Sequence, residues 1–234
     1  MSQSVSLPET VSASAGPAPS SPESRRRASG LLLVLSAPSG GGKTTLCEQL
    51  IAADPKVRRA VTCTTRAPRP GEQNGVDYHF LPPPDFELRT VSAKDDFLEH
   101  ALVHGHHYGT LKSEVLEKLR AGYDVLLSVD VQGAAALKLR TERDAELKRA
   151  LVTIFLAPPS LAVLEQRLRS RGTDAEETIA RRLSGARAEL ARWREYDYLI
   201  VSDTVATDLR RMLSILTAER LRSSRVLDPS ASLE

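Results

Sequence analysis

The stretch Ser36-Ala37-Pro38-Ser39-Gly40-Gly41-Gly42-Lys43-Thr44-Thr45 carries the parts of a cradle for a phosphate chain. Three consecutive glycines let the backbone take positive φ and turn its amides inward onto an anion. Lys43 adds a point charge, and the Thr44 hydroxyl is the group that such a loop offers to a magnesium ion. A helix starting near Thr44 presents the positive end of its dipole to the same anion. The strict form of the motif begins with glycine, and Ala37 stands in that place here. Glycine-rich turns are common, so the reading rests on context: an apolar run before the loop and a helix after it.

A second cluster lies further along. Thr62-Cys63-Thr64-Thr65-Arg66-Ala67-Pro68-Arg69-Pro70-Gly71-Glu72 is followed by Asn74-Gly75-Val76-Asp77-Tyr78, then by Phe97-Leu98-Glu99-His100-Ala101 and Tyr108-Gly109-Thr110. Arg66 and Arg69, with Pro68 stiffening the link between them, form a bidentate clamp for a phosphate. Tyr78 and Tyr108 add neutral donors to the same anion. Taken alone, these arginines suit a solvated turn equally well.

Both clusters need a frame. Apolar runs at Leu31–Leu35, Val125–Val129, Leu151–Leu156 and Tyr198–Val201 read as buried strands, each followed by a helical pattern. Leu161, Leu164 and Leu168 share one helix face after Pro158-Pro159-Ser160. Thr173 to Glu176 reads as a capping box that opens a long helix carrying Ile179, Leu183, Leu190 and Trp193 on one side. Strand–helix alternation implies a parallel sheet with helices on both faces, and phosphate then binds at the carboxyl ends of the strands. The stretch from 57 to 119 breaks the rhythm and reads as an insertion that brings the second binding site.

Composition excludes several other classes. The chain has 234 residues, 41% hydrophobic and 26% charged, with a formal net charge of only +2. That balance gives no bulk field for nucleic acid. No apolar stretch reaches bilayer length, so no membrane partner is expected. Cys47 and Cys63 are too far apart in sequence for a CxxC pair, and reduced thiols in the cytoplasm fit them. Residues 1–29 are rich in Ser, Ala and Pro and read as a disordered tail; Arg25, Arg26 and Arg27 are taken as its solvated charges. Residues 220–234 are expected to fray. His100, His104, His106 and His107 crowd one segment, but no cysteine joins them, and an exposed loop is the simpler reading than zinc.

With the phosphate loop, the stretch from Thr62 to Tyr78 closely resembles the signature of guanylate kinases, and the likeness runs from about Leu31 to Glu219. The resemblance implies an α/β P-loop nucleoside-monophosphate-kinase fold. Its core would be residues 30–56, 120–165 and 197–219, with an inserted mixed α/β GMP-binding domain at 57–119 and a helical lid at about 166–196. It implies transfer of the ATP γ-phosphoryl to GMP with Mg²⁺, in purine nucleotide metabolism and GMP recycling. By position, residues 37–44 would bind ATP, and Thr44 would meet its Mg²⁺. Arg66, Arg69, Tyr78 and Tyr108 would hold the GMP phosphate, while Thr62, Glu99, Thr110 and Asp130 would read the guanine. Lys43, Arg171 and Arg182 would surround the transferring group; Arg181 and Arg187 read as a solvated helix face.

Chemistry agrees with the base-reading assignment. Guanine offers two donors on one edge, and a carboxylate such as Glu99 accepts from both. The acceptor is already an anion, so alignment and charge stabilisation carry the catalysis. Two positions depart from the family pattern. Ser128-Val129-Asp130 replaces Asp-x-Asp and takes a charge from the outer shell of Mg²⁺. Ser202-Asp203 replaces Asn-Asp on the adenine side. Two alternatives stay open: a kinase of this fold for another phosphorylated acceptor, such as a ribosyl bisphosphonate, and a non-catalytic binding module.

Overall fold

The computed structural model describes residues 30–91, 96–103, 105–170 and 176–225. In chain order these form β1 (Leu32–Ser36), α1 (Lys43–Ala53), β2 (Val57–Arg59), β3 (Cys63–Thr64), β4 (His79–Phe80), α2 (Pro83–Val91), β5 (Phe97–Val103), β6 (His106–Leu111) and α3 (Lys112–Arg120). The chain continues with β7 (Asp124–Val129), α4 (Val131–Thr141), α5 (Ala145–Ala150), β8 (Leu151–Ala157), α6 (Leu161–Ser170), α7 (Glu176–Leu190), β9 (Tyr198–Val201) and α8 (Val205–Leu221).

The core is a five-stranded sheet in the order β2-β7-β1-β8-β9, parallel throughout. β1 lies at its centre, and its side chains alternate between the two faces. Leu31, Leu33 and Leu35 pack with Leu46 and Leu50 of α1 and Met212 and Leu216 of α8. Leu32 and Val34 pack on the other face with Val115 and Leu119 of α3, Leu137 of α4 and Leu147 of α5. A strand buried on both faces needs an unbroken apolar run, which is what the sequence carries there. Each fully buried leucine contributes about 1.5–3 kcal/mol.

Because every pairing in this sheet is parallel, the carboxyl ends of its strands lie on one edge, where β1 runs into the glycine loop and β7 into Asp130. The opposite edge is pinned by charge. The Asp124 carboxylate, fully buried, accepts from the Leu31 N–H at 2.7 Å and from Arg220 Nε at 2.8 Å and Nη2 at 2.6 Å. Arg220 Nη1 also reaches Asp54 at 2.7 Å. Two strands, α1 and α8 therefore meet at one guanidinium. Removing it takes from a buried carboxylate the guanidinium charge that it bonds, so Arg220→Ala is expected to cost about 3–5 kcal/mol in urea unfolding. A loss below about 1 kcal/mol, the size of an exposed pair, would contradict this.

Residues 220–225, expected to fray, are instead tied down. α8 runs on to Leu221, and Arg225 then pairs with Glu219 at 3.0 Å and donates to the Leu151 carbonyl at 3.0 Å. Paired donors against buried acceptors hold the chain end that composition alone leaves free. Val57–Arg59, placed by the sequence in the insertion, pairs with β7 in the core sheet.

The rest of the insertion builds a second sheet, in the order β4-β3-β6-β5. Its small core is Cys63, Phe86 and Phe97, with the two phenyl rings stacked at 4.6 Å between centroids. His107 stacks on Phe86 at 5.2 Å. Among the described residues no three His, Cys, Asp or Glu side chains converge on one point, and no helix is long and apolar enough to cross a membrane. His104 lies outside the described residues, as do Arg171 and the capping-box Thr173.

α6 and α7 form a third unit around Leu164, Leu168, Ile179 and Ala186. The expected apolar face is present, but α7 ends at Leu190, and Trp193 sits in a separate 3₁₀ turn.

Candidate functional site

The glycine loop closes directly on the end of β1. The Gly41 N–H bonds the Pro38 carbonyl at 2.9 Å, and Gly40 and Gly42 take φ of 84° and 95°. Gly42 is the N-cap of α1, with no side chain spent on capping and no acidic residue in the first turn. The helix N-terminus therefore faces the loop with its field uncancelled. A Cβ on Gly41 would lie 2.8 Å from the Ala37 methyl and 2.9 Å from the Pro38 carbonyl oxygen. Ala37 is thus accommodated, buried, because Gly41 makes room for it.

Lys43 folds back over the loop, its Nζ donating to the Ala37 carbonyl at 2.7 Å. Burial pushes its pKa down, and the carboxylates of Glu189 and Asp130 oppose that shift. Thr44 is exposed at the first turn of α1, its hydroxyl open to a ligand. Beside the loop lies a cavity of about 330 Å³, bordered by Gly40, Thr45, Arg167, Ser202, Asp203 and Asp208. The Ser202 hydroxyl, in the place of the family's asparagine, donates to Asp208 at 2.8 Å, and the Asp203 N–H bonds the other carboxylate oxygen at 3.0 Å.

A second cavity, of about 210 Å³, opens where the inserted sheet meets the end of β7; Thr62, Tyr78, Glu99, Tyr108, Asp130 and Arg59 border it. Five residues singled out from widely separated stretches of sequence therefore share one wall system. Glu99 of β5 is buried, and the fully buried Thr110 of β6 donates to its Oε1 at 2.7 Å. Thr110 stands behind the carboxylate rather than in the cavity. Oε2 lies 3.7 Å from where a Gly133 Cβ would be, an ordinary contact distance. Burial raises the Glu99 pKa, the Thr110 hydrogen bond lowers it, and the Asp130 charge raises it again. Asp130 uses Oδ1 to cap α4 through the Gly133 N–H at 2.7 Å.

Arg66 and Arg69 do not border this cavity, but Arg66 lies against Tyr78, which does. Arg66 Nη2 bonds both oxygens of Glu72, at 2.9 and 3.0 Å, and its guanidinium lies 5.5 Å from the Tyr78 ring centroid. Glu72 also accepts the Arg69 backbone N–H at 2.7 Å. One carboxylate thus holds both arginines on a single turn, with the Arg69 side chain exposed beside it. Tyr78 and Tyr108 meet edge-on, 6.1 Å between centroids. The threonines before Arg66 are structural: Thr64 Oγ1 accepts the Arg66 N–H at 3.2 Å, and Thr65 Oγ1 the His107 N–H at 2.9 Å.

Arg182 is half-buried on α7, while Arg181 and Arg187 are exposed. Ser128, where the family pattern has an aspartate, meets the buried Cys47 thiol, whose pKa burial pushes up to about 11. Sequence reasoning missed Arg59, Glu72, Arg167 and Glu189 as members of the site. Glu72 lay inside the quoted cluster, and a lone carboxylate beside two arginines was the available signal. Nothing local marks Glu189, whose charge acts on Lys43 from α7.

The sequence matches the family model described as guanylate kinase over residues 29–219. A guanylate kinase of Maricaulis maris (strain MCS10) is 46% identical over 201 residues, covering 86% of this chain and 88% of the relative. One from Desulfotalea psychrophila (strain LSv54) is 46% identical over 196 residues, covering 84% and 93%. Among solved structures, the crystal structure of guanylate kinase from Anaplasma phagocytophilum superposes with a TM-score of 0.67 at 31% identity, over 89% of this chain and 96% of that one.

Proposed function

The chain belongs to the guanylate kinase family, and we infer that its reaction is transfer of the γ-phosphoryl group of ATP to GMP, giving ADP and GDP. It is a nucleoside monophosphate kinase by that membership. The observation that carries the reading of its site is the buried Glu99 carboxylate, fixed by Thr110 and facing a cavity that two tyrosines and Asp130 also border.

GMP enters this cavity with its base toward Glu99. The N1–H and amino group donate to the carboxylate, and Thr62 and Asp130 complete the reading of the base edge. Thr110 fixes the rotamer of Glu99. The phosphate then faces Arg66, Arg69, Tyr78 and Tyr108, and an incoming phosphate competes with Glu72 for the Arg66 guanidinium. ATP lays its phosphates in residues 37–44, with the amides, the α1 dipole and Lys43 as donors. Its base occupies the cavity beside Ser202 and Asp208.

Magnesium fits this donor set: the exposed Thr44 hydroxyl is a hard oxygen ligand, and phosphate oxygens and water would supply the rest of the shell. When bound, it neutralises charge on the oxygens around the transferring group. The lid arginines Arg171 and Arg182 approach the same charge when residues of about 166–196 close. No strong base is needed, because the attacking oxygen belongs to a phosphate that is already anionic. The chain then divides into a core of 30–56, 120–165 and 197–219, the GMP-binding insertion of 57–119 and that lid, with Val57–Arg59 shared by the core sheet. Two buried thiols, Cys47 and Cys63, neither in a disulfide, support a cytoplasmic setting.

The test is coupled ADP release with GMP, AMP, CMP and UMP side by side. Turnover confined to GMP is expected, by a margin of around 10⁴-fold over AMP. Comparable turnover of AMP would remove the base-reading role of Glu99.

A further inference from the structure

The cavity beside the glycine loop is bordered by two buried polar side chains, Ser202 and Asp208, that bond each other. The chain leaves β9 at Val201, and the Ser202 N–H bonds the Ala157 carbonyl at the end of β8, at 2.8 Å. The Ser202 hydroxyl donates to Asp208 Oδ2 at 2.8 Å, and Asp208 Oδ1 accepts the Asp203 N–H at 3.0 Å. Arg211 closes the turn, its Nη1 2.6 Å from the Val201 carbonyl oxygen and 3.4 Å from Asp208 Oδ1. Asp208 is not the cap of α8. Thr204 fills that role, its Oγ1 accepting the Thr207 N–H at 3.2 Å. Both Asp208 oxygens are therefore turned to the segment before the helix, on the wall of the cavity.

We propose, on the reading that the ATP base lies in this cavity, that Asp208 is a positioning residue for donor-base selection: it fixes the Ser202 hydroxyl so that only lone pairs face the ligand. A hydroxyl has one hydrogen and two lone pairs, and a carboxylate can only accept. The 2.8 Å contact therefore commits the Ser202 hydrogen to Asp208. The Asp203 N–H is committed to the same carboxylate and is no donor to a base either. Arg167, a cationic donor on the same cavity wall, lies at the loop end, its Nη1 3.9 Å from where a Gly42 Cβ would be. The Ser202 end of the cavity thus accepts from an amino group and opposes a carbonyl. Adenine carries an amino group at C6, whereas hypoxanthine and guanine carry an oxygen there. Because Ser202 and Asp208 are buried, a mismatched oxygen leaves their lone pairs unpaired at a site where that is costly.

ITP is the probe, because it shares the ribose and triphosphate of ATP and differs only at the purine edge. In the full chain with saturating GMP, kcat/KM is expected to favour ATP over ITP by about tenfold or more, since one hydrogen bond is lost and a buried acceptor is left facing another. Asp208→Asn is the discriminating variant. The Asp203 N–H takes the amide oxygen, so the amide NH2 faces Ser202 and donates to it. The Ser202 hydrogen then turns to the cavity, and the ATP-to-ITP ratio should fall about tenfold, while the calorimetric Kd for GMP stays within about twofold. A ratio of two donors does not depend on the fraction of variant that is folded, so lost stability does not mimic this result. Calorimetry of ADP and IDP on the parent chain makes the same comparison without turnover, with ADP expected to bind about tenfold tighter. A parent chain that takes the two bases within about threefold of each other overturns the selector, and so does a ratio in Asp208→Asn within about threefold of the parent's. Absence of GDP formation from either donor rejects the kinase reading instead, and the ADP and IDP affinities still decide the selector.

Discussion

Glu99→Ala is expected to lower kcat/KM for GMP on the order of 10³-fold while leaving the weak turnover of AMP unchanged. Two hydrogen bonds from guanine to a charged acceptor are lost, each worth about 1.5–3 kcal/mol, and about 1.4 kcal/mol is a factor of ten. The effect is selective because AMP presents a ring acceptor to that carboxylate and gains nothing from it. Thr110 strengthens the case: it donates to Oε1 at 2.7 Å, so the carboxylate is held in place before any base arrives. A pH dependence follows. Burial raises the Glu99 pKa above its usual 4.5, and the ionised form is the one that accepts from guanine. For GMP, kcat/KM should therefore fall as pH drops through a value above that of an ordinary glutamate. In Glu99→Gln this acid limb should vanish. A limb that survives the substitution would belong to another group, and unchanged selectivity in Glu99→Ala would end the assignment.

Lys43→Ala is expected to reduce kcat by a factor on the order of 10²–10³, the size seen when one preorganised donor is removed from developing charge. Calorimetry should still register GMP binding, since the acceptor cavity lies beyond the loop. The substitution removes an ammonium that bonds the Ala37 carbonyl and faces Asp130 and Glu189. Folding should survive it, because burial already disfavours the charged form of this lysine. Turnover within about threefold of the parent chain would exclude the loop as the seat of transfer.

The strands and the phosphate loop were legible because local patterns encode them. β1, β7, β8 and β9 are apolar runs of the length that a doubly covered strand requires, and three glycines before Lys-Thr mark the turn between strand and helix. The candidate acceptor residues were legible only as a set of fragments. Thr62, Tyr78, Glu99, Tyr108 and Asp130 meet because β3, β4, β5 and β6 pair out of sequence order, and no periodicity foretells that pairing. β2 is a three-residue strand, too short to announce which sheet it joins. The hold on residues 220–225 was invisible for a similar reason. Arg220 and Arg225 read as tail charges until Asp124 and the Leu151 carbonyl, far back in sequence, supply their partners. Glu72 and Glu189 show the same limit at the site: a carboxylate has no local signature of function until the cation it faces is known.

The measurement closest to the central claim is a crystal structure with ADP and GMP bound together. The expected result places the GMP phosphate on Arg66 and Arg69, its base edge on Glu99, and the ADP β-phosphate among the amides of residues 40–44 with Lys43. A GMP phosphate away from those two guanidiniums, or an empty glycine loop, would contradict the account.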